Sequence, residues 1–544
     1  MSGSLPSIVI NDNDPTAAAK LKLLGYDQQL TRTRGIFNLL FMILAIIGLP
    51  AAMITPLATS LICGGPATML WGFVLSGILT VPLAFSLAEI SSKYPTSAGT
   101  YYWSYQLASP RRRTLYAWIN GWLFLVGMWT ITLSAVTAMA QLVTTLVQIF
   151  RPDYVPQRWH TYLILLAFII FAGVVCIFGN EYLPAVEACA AGYGLTSLII
   201  LLISISSKAE AGRRSAAFAF GHFDVSFSGW TPGWAFIIGL LPGGKAHTVA
   251  PHYASHLVIG SLHIRRSWNE SITVVTPMAE EAKNPSVNIP RAIVWTIPLA
   301  LIMGIMTILP IVFTLPVSNI GDLVVLNQPA ALLFRLVMGS NAGALGMWLL
   351  IFIACIFAYI PINTTTSRAT WSFARDKAIP FHNIWSHVND IRGGVPIPAL
   401  LLSLIIQALL GLIDLGSTTA FNSFVGIGII CLTASYAMPV AISLGNGRKD
   451  ILDAPFKLGR WGPLFNVLTV LWVLLQMVLL SMPLTIPTSA QNMNYASAIF
   501  VGFAVISAVY YVVRGSRHFK GPPDMNVANA YDLDGDESPH TSKI

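Results

Sequence analysis

Runs of about twenty apolar residues, recurring along nearly the whole chain, limit what this sequence can become more than any motif does. They fall near residues 36–62, 67–91, 121–150, 162–178, 183–204, from 234 onward, 293–315, 345–362, 399–412, 424–444, 464–482 and 496–513, the ninth being short for a full span. A bilayer core about 30 Å thick is crossed by roughly 20 helical residues, and in lipid a helix alone satisfies its own backbone groups. Composition agrees: 55% of the 544 residues are hydrophobic and 10% are charged, against roughly 25% charged in a soluble domain. The expected fold is an all-α integral membrane protein of about 12 transmembrane helices.

A formal net charge of +8 suggests nucleic acid, but the Lys and Arg residues are scattered in short clusters between apolar runs, where they read as topology signals. Lys20, Lys22, Arg32 and Arg34 precede the first span; Lys93 and Arg111 to Arg113 follow the second; Arg375, Lys377 and Arg392 follow the eighth; Arg448, Lys449, Lys457 and Arg460 follow the tenth; Arg514, Arg517 and Lys520 follow the last. Lys208, Arg213 and Arg214 after the fifth span are the exception. Both termini are therefore expected in the cytoplasm. Residues 1–34 and 515–544 are expected as disordered tails around a membrane domain of 35–514. The aromatic stretch Tyr101, Tyr102, Trp103 and Tyr105 is expected along the inner membrane interface. Five cysteines show no metal or disulfide spacing.

Two spans carry an interruption: Ile46-Ile47-Gly48-Leu49-Pro50 in the first and Ile237-Ile238-Gly239-Leu240-Leu241-Pro242 in the sixth. Proline removes a backbone donor and glycine tolerates unusual dihedrals, so a helix can unwind there. Unwound backbone at membrane depth survives only in a protein interior or beside a cavity. Matched breaks five spans apart point to a transporter of inverted repeats whose half-helix ends meet a solute. The plainer alternative is that Gly and Pro are common in membrane helices.

The stretch Ser86-Leu87-Ala88-Glu89-Ile90-Ser91-Ser92-Lys93-Tyr94-Pro95-Thr96-Ser97-Ala98-Gly99-Thr100-Tyr101-Tyr102-Trp103 resembles the second-loop signature of fungal amino acid and choline permeases. Gly121-Trp122, Met278-Ala279-Glu280-Glu281 through Asn284-Pro285 and Pro290 to Ile293, and Ser367 through Asp376 are similar to the same family. The resemblance implies the five-plus-five inverted-repeat core of the amino acid, polyamine and organocation superfamily, broken first and sixth helices, two further helices, and proton-linked uptake. Its solutes include 4-aminobutyrate, other amino acids and choline; the expected partners are such a solute, a coupling proton and the bilayer. No cofactor, metal or nucleic acid is expected, and the plasma membrane is the expected location, with the vacuole as alternative.

Residues 243–271 depart from the family, inserting Lys245, His247, His252, His256, His263, Arg265 and Arg266 where the sixth helix should continue. Charges at membrane depth cost roughly 2.5–3.5 kcal/mol each, so this stretch reads as a retained intron, a loop in an aqueous vestibule, or a histidine metal site. The G-x-x-x-x-G-K spacing of Gly239 to Lys245 lacks the following Ser or Thr and the preceding strand of a phosphate loop.

The expected solute-binding residues are Gly48, Leu49, Pro50, Trp129, Gly239, Leu240, Pro242, Asn363 and Thr364. Trp129 suits an ammonium by cation–π attraction or simply packs in the core; Asn363 and Thr364 line a path or bond to neighbouring helices. Glu187 accepts a proton, pairs with a cation or snorkels to water. Glu89, Glu280, Glu281, Arg368 and Arg375 lie at helix ends and, by position and resemblance, read as gate or fold-stabilising groups. No convergent acid, base or metal set marks an enzyme. The reading is a secondary permease; a non-transporting nutrient sensor and an inactive mis-spliced permease are its alternatives.

Overall fold

A computed structural model describes residues 15–30, 32–47, 57–151, 154–240, 276–325, 329–389, 394–483, 485–489 and 493–523. In chain order the helices are α1 (Pro15–Leu23), α2 (Ile36–Ile47), α3 (Leu57–Ile62), α4 (Gly65–Lys93), α5 (Gly99–Leu107), α6 (Arg113–Phe150), α7 (Arg158–Phe178), α8 (Leu183–Lys208), α9 (Ala216–Gly221), α10 (Pro232–Gly239), α11 (Pro285–Phe313), α12 (Ile320–Val325), α13 (Ala330–Met338), α14 (Asn341–Arg375), α15 (His382–Trp385), α16 (Ile397–Gly411), α17 (Ile413–Gly416), α18 (Thr418–Gly445), α19 (Gly462–Ser481) and α20 (Ala496–Tyr510). Among the described residues ten helices are long and apolar enough to cross a bilayer, and Ile36–Ile46 adds a shorter apolar stretch.

The spans arrange themselves by which faces can tolerate lipid. In α6 the most apolar 18-residue stretch is 94% buried, whereas in Ala496–His518 it is 6% buried, so α6 is the axis of the bundle and α20 its rim. The rim exposes Val501, Val505, Ile506, Val509, Val512 and Val513, an aliphatic surface that suits hydrocarbon. Inside, spans five places apart pack on each other: α4 on α11, α6 on α14 and α7 on α16. That is the pairing two five-span repeats would make. Small residues permit the approach. A Cβ on Gly304 of α11 would lie 2.2 Å from the Phe73 ring of α4, and one on Gly121 of α6 would lie 2.2 Å from the Phe373 ring of α14.

Several expectations change. The segment read as a disordered N-terminal tail is folded from Pro15 onward, with Leu21, Leu24, Tyr26 and Leu30 buried. The described start of the C-terminal tail is also packed, with Phe519 buried. The aromatic residues Tyr101, Tyr102 and Trp103 of α5 are buried because α6 and α18 cover the helix. The ninth span reaches a full Ile397–Gly416. Arg213 and Arg214, the exceptions to the charge pattern, donate to helix-end carbonyls: Arg213 to Ser206, and Arg214 to Leu315 and Ala211. Cations at helix C-termini are held by the dipole as well as by water, so these two need not report topology.

Candidate functional site

The N- and C-terminal segments, the ends of α4, α5 and α14, and the start of α8 meet on one face, the terminal face. Here the chain buries charge. Arg34, two residues before α2, donates to both Glu187 on α8 and Glu281, the latter at 3.0 Å from Nε. Arg368 on α14 reaches the second oxygen of Glu281 at 2.9 Å and Asn180 at 2.9 Å. Backbone bonds fix the register, Arg34 N–H to the Glu281 carbonyl and Lys283 N–H to the Arg34 carbonyl. Side-chain exposures of 1% for Arg34, 1% for Glu187, 10% for Glu281 and 2% for Arg368 mean that none of these charges has water to fall back on.

A second cluster adjoins it. Arg375 donates to Glu280 through both terminal nitrogens, at 3.2 and 3.1 Å, and Ser97 donates to the same carboxylate. The Arg375 guanidinium lies 4.0 Å from the Tyr26 ring centroid and 4.5 Å from that of Trp371, a cation–π sandwich. Tyr26 and Tyr101 both donate to Asp376, at 2.8 and 2.7 Å. A third pair, Arg448 to Glu89 at 2.7 Å, ties the end of α18 to α4. Burial alone would raise the Glu281 carboxyl, but the Arg368 and Arg34 guanidiniums outweigh it and hold the group below its ordinary value.

These contacts join elements from both halves of the chain. Arg34 leads into the first span, Glu280 and Glu281 precede the seventh, and Arg368 and Arg375 end the eighth. The arrangement ties the two halves together on the terminal face with hydrogen-bonded ion pairs.

Every expected gate residue, Glu89, Glu187, Glu280, Glu281, Arg368 and Arg375, lies in such a pair. Glu187 is pinned by Arg34 and does not reach water; its Oε1 has no hydrogen-bond partner. Arg34 and Arg448, read in the sequence only as topology charges, are the missed members, with Tyr26, Ser97, Asn180 and Asp376. Among the described residues Arg34 is the one that forms ion pairs with both Glu187 and Glu281.

The expected solute-binding residues are scattered more widely. Gly48, Leu49, Pro50 and Pro242, and the stretch 243–271, lie outside the described residues; α10 ends at Gly239. A Cβ on Gly239 would sit 2.4 Å from Thr68 and 2.8 Å from Cys63, so α10 crosses the α3–α4 junction there. Leu240 packs with Trp472 and Leu479. Trp129, Asn363 and Thr364 belong to a buried neutral lattice between α6, α14 and α16. Trp129 donates to Thr370 at 3.1 Å, Thr132 meets Thr366 at 2.8 Å, and Gln407 donates to Asn363 at 3.0 Å and accepts from Tyr359 at 2.9 Å. Asn363 and Thr364 also donate to the carbonyls of Tyr359 and Ile360 one turn back.

Comparison with known proteins adds an independent line. A family model described as "Amino acid permease" matches residues 35–505. An amino-acid permease BAT1 homolog of Oryza sativa subsp. japonica is 29% identical over 522 residues, covering 93% of this chain and 95% of that protein. The polyamine transporter TPO5 of Saccharomyces cerevisiae is 28% identical, over 94% of this chain and 80% of its own. The choline transporter of the same yeast is 27% identical, over 86% and 78%.

Proposed function

The chain belongs to the amino acid permease family, and on that footing we propose that it is a secondary active permease for an amino acid or related amine such as 4-aminobutyrate or choline. It alternates access around the interrupted first and sixth spans, with a coupling proton. The observation that carries this reading is the buried lattice of Arg34, Glu187, Glu281 and Arg368, which seals one face with contacts that span both halves. The Lys and Arg distribution supports a cytoplasmic terminal face, and the plasma membrane is the proposed location.

Charge placement supports the solute class. Glu89 near the end of α4, Glu181 and Glu187 near the start of the fifth span and Asp414 late in the ninth span are the acidic residues of the described spans, all toward helix ends. The first and sixth breaks, 46–50 and 237–242, contain no Asp or Glu. A polyamine brings several ammonium groups that demand carboxylates in a low dielectric. A zwitterion carries its own counter-charge, and a single ammonium is satisfied by helix C-terminal carbonyls or an aromatic face.

The test is uptake in cells lacking endogenous permeases, using the chain with and without residues 243–271. Labelled amino acids, 4-aminobutyrate and choline should accumulate in at least one form and compete with one another more strongly than spermidine does. Spermidine as the best competitor overturns the solute class; no accumulation of any of them overturns the permease reading.

A further inference from the structure

The N-terminal segment from Leu24 to Arg34 is a strap across the terminal face. Its first residues hang on α5 and α14: the Leu24 carbonyl accepts from Tyr102 at 3.0 Å, and the Tyr26 hydroxyl reaches Asp376. In its middle Gln28 donates to the Glu280 carbonyl at 2.9 Å, and Leu30 is buried against Trp371 and Ala399. Its last residue, Arg34, makes the two ion pairs described above. Since the strap runs directly into α2, the first span cannot swing away from this face while the strap stays seated.

A second segment lies on top of it. After α20 the chain makes a π-helical turn at Tyr511–Gly515, and a Cβ on Gly515 would lie 2.7 Å from the Trp118 ring. Phe519, 1% exposed, packs its ring 5.3 Å from Trp118 and 6.1 Å from Phe373. Gly521 has φ +91°, and a Cβ there would be 2.3 Å from the Tyr105 ring. Gln106 donates to the Pro523 carbonyl at 3.1 Å. The Pro523 ring then presses on Gly25, where a Cβ would be 2.2 Å away; Gly25 has φ +85°. Two glycines in left-handed backbone thus leave room for the Pro523 and Tyr105 rings at the root of the strap.

We propose that the segment from Gly515 to Pro523 is a latch: seated between α5, α6 and α14, it presses Pro523 on Gly25 and holds the strap down, so the opening of the terminal face is set by whether the latch is in place. Its anchors are separate from the strap's own, so it can leave without unfolding the strap. Partners or modifications that lift it therefore act on the gate without touching a solute.

The test needs no solute, so its failure is distinguishable from failure of the permease reading. Leu30→Cys is a thiol that a polar maleimide reaches only when the strap lifts. Purified detergent-solubilised protein is labelled as the full chain and as a chain ending at Lys520, each against the parent carrying only the native cysteines. The expected result is labelling at least fivefold faster in the shortened chain. Gly521→Val, which clashes with Tyr105 but keeps the full length, should accelerate labelling in the same direction and covers the case in which truncation impairs folding. Equal labelling rates in the full-length chain and in either folded variant overturn the latch.

Discussion

Arg34 serves two carboxylates at once, and no neutral residue can take its place without leaving both Glu187 and Glu281 buried with less compensation. Breaking a buried pair costs about 3–5 kcal/mol, so Arg34→Ala should lower the thermal midpoint of the purified protein sharply. Arg34→Lys should lower it less, since an ammonium keeps the charge but cannot fork between two acids; identical midpoints for parent and alanine variant would contradict the lattice. Glu281 sets a pH expectation. Its carboxyl is held below its ordinary value, so its stabilisation is complete above the ordinary carboxylate range and lost as pH falls through the lowered value. The difference in midpoint between the parent and Glu281→Gln should stay constant from about pH 6 to 8 and shrink only in acid, near or below about 4. A difference that changes near neutrality points to another group. Glu280, Glu281 and Arg368 were legible in the sequence because they stand in recognisable stretches. Arg34 was not: a cation just outside a span looks the same whether it faces water or, as here, an acid 247 residues away.

At the scale of elements, the apolar runs marked the spans, and the glycine of the second Gly-Pro pair stands at the end of α10, at Gly239. The extent of the eighth span was hidden. Asn363 to Ser367 reads as a polar run near the inner half of the eighth helix, and α14 continues through Pro361 to Arg375. Each hydroxyl from Thr364 to Thr366 donates to the carbonyl one turn back, and neighbouring helices satisfy the rest, so the polarity is absorbed. Hydrogen bonds between membrane helices average about 0.6 kcal/mol. Thr366→Val, which removes the contact to Thr132, should therefore shift stability by about that amount and leave uptake within twofold. Uptake lost at unchanged stability would place Thr366 against the solute. Gly121→Val is the harsher change, since its Cβ falls inside the Phe373 ring contact. Overpacking of this kind costs about 1–3 kcal/mol or more, and the folded yield of the variant in detergent should fall accordingly.

For the molecule as a whole, the fold class was readable because lipid imposes a demand that only long helices meet. The closure of one face was not, because it depends on segments at opposite ends of the sequence meeting over the same helices. The charged groups joined across this face, Arg32, Arg34, Arg368 and Arg375 with Glu187, Glu280, Glu281 and Asp376, sum to zero formal charge. Moving one elementary charge through the full membrane potential is worth about 2.3 kcal/mol per 100 mV, and a neutral cluster that parts as a unit draws almost nothing from it. On the proposed permease reading, the resting voltage of the cell therefore has little leverage on this face, and any steepness of uptake with voltage belongs to what is carried.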